Sequence, residues 1–249
     1  MVLLHGLGDT HDLWRHQRET LAARYRFVAV DLRGHGRSGF DGGAFTLSDL
    51  AADVVATLTR LGIGRATIVG LSMGGGVAQT IAIEHPSRVR ALVLVSTSSE
   101  FSEGTRQRFI DRASLAEREG MAAVVDATVP RWFTAAFVER SPEEVERTRR
   151  SVLDTDPAAF AAASRANAVR DLTVRLTAVS CPVLFVGGAD DPAQPERAVE
   201  IYRSVLPDLQ SEIIPATSHL VPVEAPDRFN EILLRFLAEV HEMKEGDTR

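Results

Sequence analysis

The segment Val69-Gly70-Leu71-Ser72-Met73-Gly74-Gly75 constrains this chain more than any other. Upstream, Ala66-Thr67-Ile68-Val69 is a short β-branched run of strand character. Downstream, Val77-Ala78-Gln79-Thr80-Ile81-Ala82-Ile83 has the spacing of a helix packed on a sheet. A serine between the two must take a strained backbone conformation. Glycine two residues before it and two after removes the Cβ atoms that would clash, which is the mechanical content of a G-x-S-x-G nucleophile elbow. Such strain is kept where a reactive side chain has to be presented.

The elbow lies in a region that alternates strand and helix signals. Val2-Leu3-Leu4 reads as a strand end, residues 11–24 as a helix, and Phe27-Val28-Ala29-Val30 as a strand, followed by a glycine-rich turn over residues 31–39. Thr46 opens a helix with Asp49 three residues later, a capping-box arrangement, and Leu47, Leu50, Val54, Leu58 and Leu61 supply its apolar face. Ala91-Leu92-Val93-Leu94-Val95 is a further strand. Strands this apolar, separated by helices, imply an α/β fold: a mostly parallel sheet covered by helices on both faces.

Between residues 100 and 179 the strand signals vanish, and amphipathic helices rich in Ala, Arg and Glu take over, punctuated by Pro130, Pro142 and Pro157. The βα pattern resumes with Val183-Leu184-Phe185-Val186, a helix over 196–205, the strand Ser211-Glu212-Ile213-Ile214 and a last helix over 227–241. The tail 244–249 is expected to fray. The organisation implied is a core domain made of residues 1–99 and 180–249, with a helical lid, residues 100–179, inserted over the sheet end where the loops meet.

A serine hydroxyl is a poor nucleophile until a neighbouring base removes its proton, and that base needs a third group to orient it. The elbow therefore requires a carboxylate and then a histidine downstream. Gly187-Gly188-Ala189-Asp190-Asp191-Pro192 follows one strand and Ser218-His219-Leu220 follows another. In an open parallel sheet both loops converge with the elbow on one edge. Ser72 and His219 are thus candidate catalytic residues, with Asp190 and Asp191 competing for the acid. The tetrahedral oxyanion needs two donors. The N–H of Met73, after the nucleophile, is one candidate, and the N–H of Leu7 in the loop His5-Gly6-Leu7-Gly8 is the other.

Other functions find less support. The formal charge is −6 and Lys244 is the only lysine, so no basic patch suits a nucleic acid. No Gly-Lys-Ser/Thr follows the glycines and no G-x-G-x-x-G opens a helix, which argues against a nucleotide site. The single cysteine, Cys181, excludes an internal disulfide or a multi-cysteine metal centre; just before Pro182 and an apolar strand, it reads as a buried, inert thiol. His5 reads as a structural hydrogen-bonder and His35 as a turn residue, while His11, His16, His85 and His241 read as surface helix residues without metal-ligand spacing. No metal and no cofactor are expected. With no apolar run of bilayer length and no leader ahead of Val2, the expectation is a soluble, cytoplasmic protein acting on a small molecule, with no membrane partner.

Taken together, these residues resemble the α/β-hydrolase fold family over essentially the whole chain. Asp31-Leu32-Arg33-Gly34-His35-Gly36-Arg37-Ser38 looks like the family's "D-x-R-G-x-G-x-S" turn. In similar loops the acid stands three residues after a glycine and four before a proline. Gly188 and Pro195 satisfy both for Asp191, leaving Asp190 as an exposed loop carboxylate.

Arg131-Trp132-Phe133-Thr134, Asp154-Thr155-Asp156-Pro157-Ala158-Ala159-Phe160, Arg170-Asp171-Leu172 and Ser218-His219-Leu220 further resemble the 3-oxoadipate enol-lactonases. That likeness implies a serine hydrolase of aromatic catabolism, cleaving a small carboxylate-bearing lactone or ester through an acyl-enzyme. Trp132 is then a candidate pocket wall, and Arg131, Arg165 or Arg170 a candidate partner for the substrate carboxylate. The competing reading makes Arg165 and Arg170 solvated helix residues and Trp132 lid core.

Two departures stand out. His5-Gly6 is the generic esterase form, where these enol-lactonases often carry Asn-Ser. The antiparallel hairpin that usually precedes the His-Gly loop also appears missing, which would leave the strand at residues 27–30 as an exposed sheet edge, open to an oligomeric partner. A general carboxylesterase, a carbon–carbon bond hydrolase or a cofactor-free perhydrolase would use the same triad. A non-catalytic ligand-binding protein of this fold is the alternative of another class.

Overall fold

The computed structural model describes residues 1–246, with side chains through residue 242. Past Gly246, the tail expected to fray lies outside the described residues. In chain order the elements are β1 (Val2–Leu4), α1 (Arg15–Ala22), β2 (Val28–Val30), α2 (Leu47–Arg60), β3 (Ala66–Leu71), α3 (Met73–Glu84) and β4 (Val89–Val95). Then come α4 (Glu103–Thr128), α5 (Ala135–Arg140), α6 (Pro142–Leu153) and α7 (Pro157–Ala168). The chain closes with β5 (Val183–Gly188), α8 (Pro195–Val205), β6 (Gln210–Ile214), α9 (Val221–Glu224) and α10 (Pro226–Gly246).

The strands form one sheet in the order β2-β1-β3-β4-β5-β6, and every pairing is parallel. Parallel pairing follows from the helix returned between each strand and the next, and it demands apolar side chains on both faces. Accordingly β1, β3 and β5 are buried throughout, as is β4 except at Arg90, whereas the edge strands β2 and β6 are only half-buried for most of their length. The predicted capping box at α2 is present: Thr46 Oγ1 accepts the N–H of Asp49, and the Asp49 carboxylate accepts the N–H of Thr46.

Between β4 and β5 the chain contributes helices α4 to α7 and one isolated antiparallel bridge, between Glu100 and Asp171. The long α4 is broken at Gly120, whose φ of +78° only glycine adopts without strain. Among the described residues, no helix is long and apolar enough to cross a membrane.

Candidate active site

Because the strands are parallel, their C-terminal ends meet on one edge of the sheet. The loops leaving β1, β3, β5 and β6 there carry Leu7, Ser72, Asp191 and His219, and all four residues line one cavity of about 470 Å³.

Ser72 occupies the turn between β3 and α3 at φ +53° and ψ −108°, a conformation that costs of order 1–3 kcal/mol for a residue with a Cβ. The turn closes only because its flanks are glycine. A Cβ on Gly70 would lie 2.3 Å from the carbonyl oxygen of Gly74, and one on Gly74 would lie 2.4 Å from that of Leu4. The Ser72 carbonyl is held in place by Gly76 N–H at 3.2 Å, Thr97 Oγ1–H at 2.7 Å and Arg170 Nη1–H at 3.1 Å. Met73 opens α3, so its N–H is among those without a partner inside the helix and sits at the positive end of the helix dipole.

His219 and Asp191 are joined by a hydrogen bond of 2.8 Å from Nδ1 to Oδ2. With Nδ1 donating to the carboxylate, Nε2 is left as the basic nitrogen. Asp191 is buried, and its other oxygen accepts Ala193 N–H at 2.9 Å. Asp190 is exposed, its backbone N–H bonded to the Thr217 carbonyl. Of the two aspartates, it is Asp191 whose carboxylate meets His219. Among the described residues Ser72 Oγ makes no side-chain hydrogen bond in this conformation, although it shares the cavity with His219.

Gly6 packs against the elbow, where a Cβ on it would stand 3.6 Å from that of Ser72, and Leu7 lines the cavity beside it. Their loop is anchored by His5, as expected of a structural histidine. Its Nδ1–H donates to the Gly6 carbonyl at 2.7 Å while Nε2 accepts Leu32 N–H at 2.9 Å. That use of both nitrogens is the neutral form, and burial beside His35 pushes the imidazole down to about 3. The turn after β2 is held by Asp31, whose carboxylate accepts the N–H groups of His11 and Arg37.

Of the remaining histidines, His241 is an exposed helix residue stacked on Tyr25 and His35 sits in its turn, there buried; His11, His16 and His85 are half-buried rather than fully at the surface, the first two paired with Asp31 and Glu144. Among the described residues no three potential ligands gather around a metal position. Cys181 is half-buried rather than buried, and desolvation still pushes its thiol up to about 11.

The arginine expectations divide. Arg165 is exposed and forms a two-pronged pair with Glu117 at 2.7 and 2.6 Å, as a solvated helix residue would. Arg170 corrects both readings made of it. It is only 3% exposed, and it serves the protein's own elbow: besides Ser72 O it donates to Thr97 Oγ1 at 2.9 Å and stacks 4.2 Å from the Phe101 ring. Burial pulls its guanidinium down to about 10. Arg131 and Trp132 do line the cavity, and the Trp132 ring lies 6.3 Å from that of His219.

Sequence reasoning missed Glu224. This buried carboxylate accepts the N–H of Ser218 at 2.8 Å, the N–H of Thr134 at 3.0 Å and the Thr134 hydroxyl. An isolated glutamate inside the apolar run Leu220-Val221-Pro222-Val223-Glu224-Ala225 was the available signal, since a charge there must find internal partners.

This fold and this constellation define a class, and comparison with known proteins agrees. A model of the α/β-hydrolase fold family matches residues 1–226, and the chain belongs to that family. It is 31% identical over 230 residues to 3-oxoadipate enol-lactonase 2 of Acinetobacter baylyi, covering 92% of this chain and 85% of the relative. Among solved structures, a malate-bound thermophilic esterase from Thermogutta terrifontis superposes with a TM-score of 0.91 at 32% identity, over 96% of this chain and 89% of the other. The enol-lactonase from Burkholderia xenovorans LB400 gives 0.90 at 31%, over 95% and 90%. Family and relatives together identify the chain as a hydrolase.

Proposed function

We propose that this hydrolase is a serine enzyme that opens a small carboxylate-bearing enol-lactone, or cleaves a similar ester, through an acyl-enzyme. The observation that carries the reading is the 2.8 Å bond between Asp191 and His219 in the cavity that also receives the strained Ser72. On this reading, substrate entry draws Ser72 Oγ and His219 Nε2 together, as catalytic hydrogen bonds commonly tighten only in the complex.

Ser72 Oγ attacks the carbonyl carbon while His219 Nε2 takes its proton, and Asp191 steadies the imidazolium that forms. The developing oxyanion is held by the N–H groups of Leu7 and Met73, each such donor contributing about 3 kcal/mol to lowering the barrier. Collapse breaks the bond to the ring oxygen, which leaves as an enolate and receives the proton from His219. Water then attacks the acyl carbon, with His219 again as base, and the acid is released with Ser72 restored. The inserted helical segment acts as the lid, with Trp132 as a pocket wall.

Likeness to enol-lactonases supports the lactone. Likeness to the Thermogutta esterase favours the second reading, a general carboxylesterase. Labelling with a fluorophosphonate probe tests the nucleophile: wild type is expected to react and Ser72→Ala not to. A folded wild type that resists the probe defeats the serine mechanism. Spectrophotometric turnover of 3-oxoadipate enol-lactone against neutral p-nitrophenyl esters separates the two substrate readings, and a preference for the neutral esters favours the esterase.

A further inference from the structure

The Met73 N–H, a candidate oxyanion donor, belongs to the same peptide unit as the Ser72 carbonyl. That carbonyl is loaded beyond what the helix asks of it. Gly76 N–H supplies the ordinary helical bond at 3.2 Å. Two side chains add to it, Thr97 Oγ1–H at 2.7 Å and Arg170 Nη1–H at 3.1 Å. Arg170 Nη1 also donates to Thr97 Oγ1 at 2.9 Å, so the guanidinium acts on Ser72 O both directly and through the hydroxyl. Hydrogen bonds arranged in a chain polarise one another. Drawing electron density onto the carbonyl oxygen makes the N–H across the same amide more positive, and a stronger donor.

Both side chains are held to this task. Ser96, immediately before Thr97, stands at φ +44°, a strained conformation for a residue with a Cβ, where the chain turns off the end of β4. Leu172 N–H donates to Ser99 O at 2.9 Å and Glu100 bridges Asp171, which ties the segment carrying Arg170 beside the one carrying Thr97. Arg170 is buried, yet among the described residues no carboxylate lies within 4.0 Å of its guanidinium. Burial lowers it only to about 10, so it stays cationic at neutral pH. Its Nε has no partner, and the Phe101 ring 4.2 Å away is a weak substitute for a counter-ion. A buried cation without a counter-ion is costly. The cost falls when a negative charge forms nearby, and an oxyanion held by Met73 N–H would form one peptide unit from the guanidinium.

We propose that Arg170 and Thr97 are positioning residues for the oxyanion site: by polarising the Ser72–Met73 peptide, they strengthen Met73 N–H as a donor to the charge of the transition state. This role rests on the serine mechanism proposed above and adds to it a buried cation whose counter-ion is the reaction's own negative charge. Preorganised charge of this kind acts without reorganising at the moment of reaction.

The test uses a neutral ligand, 1,1,1-trifluorohexan-2-one labelled with 13C at the carbonyl, so that no acid group of a substrate takes part. Ser72 Oγ adds to the keto carbon, its proton passes to His219 Nε2, and the carbonyl π pair becomes the hemiketal oxyanion. The 13C shift followed against pH reads the pKa of that oxyanion. Arg170→Met is expected to raise it by about 1.5 units, and to lower kcat for p-nitrophenyl acetate by the matching factor of about 30 with KM changed less than about 3-fold. Arg170→Lys, which keeps the charge without the planar fork, should recover part of both losses. Thr97→Val should raise the pKa by about 0.5 unit, and it carries the test if Arg170→Met does not fold. An arginine that only braced the turn would, on replacement, reduce the fraction of enzyme forming the adduct and leave the pKa of that adduct where it was. A pKa unmoved in every folded variant therefore overturns the proposal while leaving Ser72 as the nucleophile. Absence of the adduct in folded wild type overturns it together with the serine mechanism.

Discussion

The backbone carbonyl of Trp132 accepts the N–H of His219 at 3.1 Å, which fastens the helical segment between β4 and β5 to the loop that presents the imidazole. Leu220 N–H reaches the same carbonyl at 3.3 Å, and Glu224 bridges Ser218 and Thr134 across the same seam. Trp132 and the candidate base are thus tied to each other through the backbone.

Glu224→Gln is expected to loosen that seam. One of the two oxygens becomes an NH₂ group facing an N–H, at a cost of about 2 kcal/mol. Differential scanning calorimetry is expected to show a midpoint lower by about 5 °C. Turnover of any accepted ester should fall with KM little changed. An unchanged melting point would show that the carboxylate does not hold the seam.

Asp191→Asn and Asp190→Asn should differ sharply. The first removes the acceptor that fixes the His219 tautomer and is expected to reduce kcat by about 10³–10⁴-fold. The second alters an exposed loop residue, and its kinetics should stay within about 2-fold of wild type. Steady-state kinetics on a p-nitrophenyl ester decides this, and similar losses in the two variants would contradict the geometry.

Gly76 and Arg170 are expected to couple. A Cβ on Gly76 would meet Arg170 Nη1 at 2.6 Å, and that guanidinium cannot withdraw without releasing Ser72 O and Thr97. Gly76→Ala should cost about 1–3 kcal/mol in wild type and distinctly less in an Arg170→Ala background. Urea unfolding of the four members of the cycle measures the coupling, and additive costs would show that the contact is not under compression.

Asp9 should make stability fall as pH rises through the acid range. Burial raises its carboxyl from 3.8 to about 6, and Oδ2 has no partner. Between those values the unfolded chain has released a proton that the folded chain still holds, so each step up in pH favours unfolding; above about 6 the full cost is present. The thermal midpoint of Asp9→Asn minus that of wild type should therefore grow from pH 4 to pH 7 and then level off. His5, lowered from 6.5 to about 3, contributes the opposite slope, with stability lost as pH falls through that window, but it does so in both proteins and cancels. A midpoint difference independent of pH would rule out the buried ionisation of Asp9.

Much of the site was legible because local chemistry dictated it. Gly70 and Gly74 have to be glycine for Ser72 to turn, and Thr46 with Asp49 caps α2 whatever the rest of the chain does. The apolar strands announced a parallel sheet, and a parallel sheet brings its C-terminal loops to one edge. Arg170 could not be read in this way. Its partners Ser72 and Thr97 lie 98 and 73 residues away, and nothing in Val169-Arg170-Asp171 distinguishes a solvated guanidinium from a buried one.

The sequence by itself thus determined the fold class and the glycine-flanked turn at Ser72, because backbone sterics and strand hydrophobicity act within a few residues of each position. Only the tertiary structure set Asp191 rather than Asp190 against His219 and placed Arg170 beneath Ser72. Those outcomes depend on which side chains approach within about 4 Å across long loops, where a charge is worth several times what it is in water. Local sequence does not encode such distances.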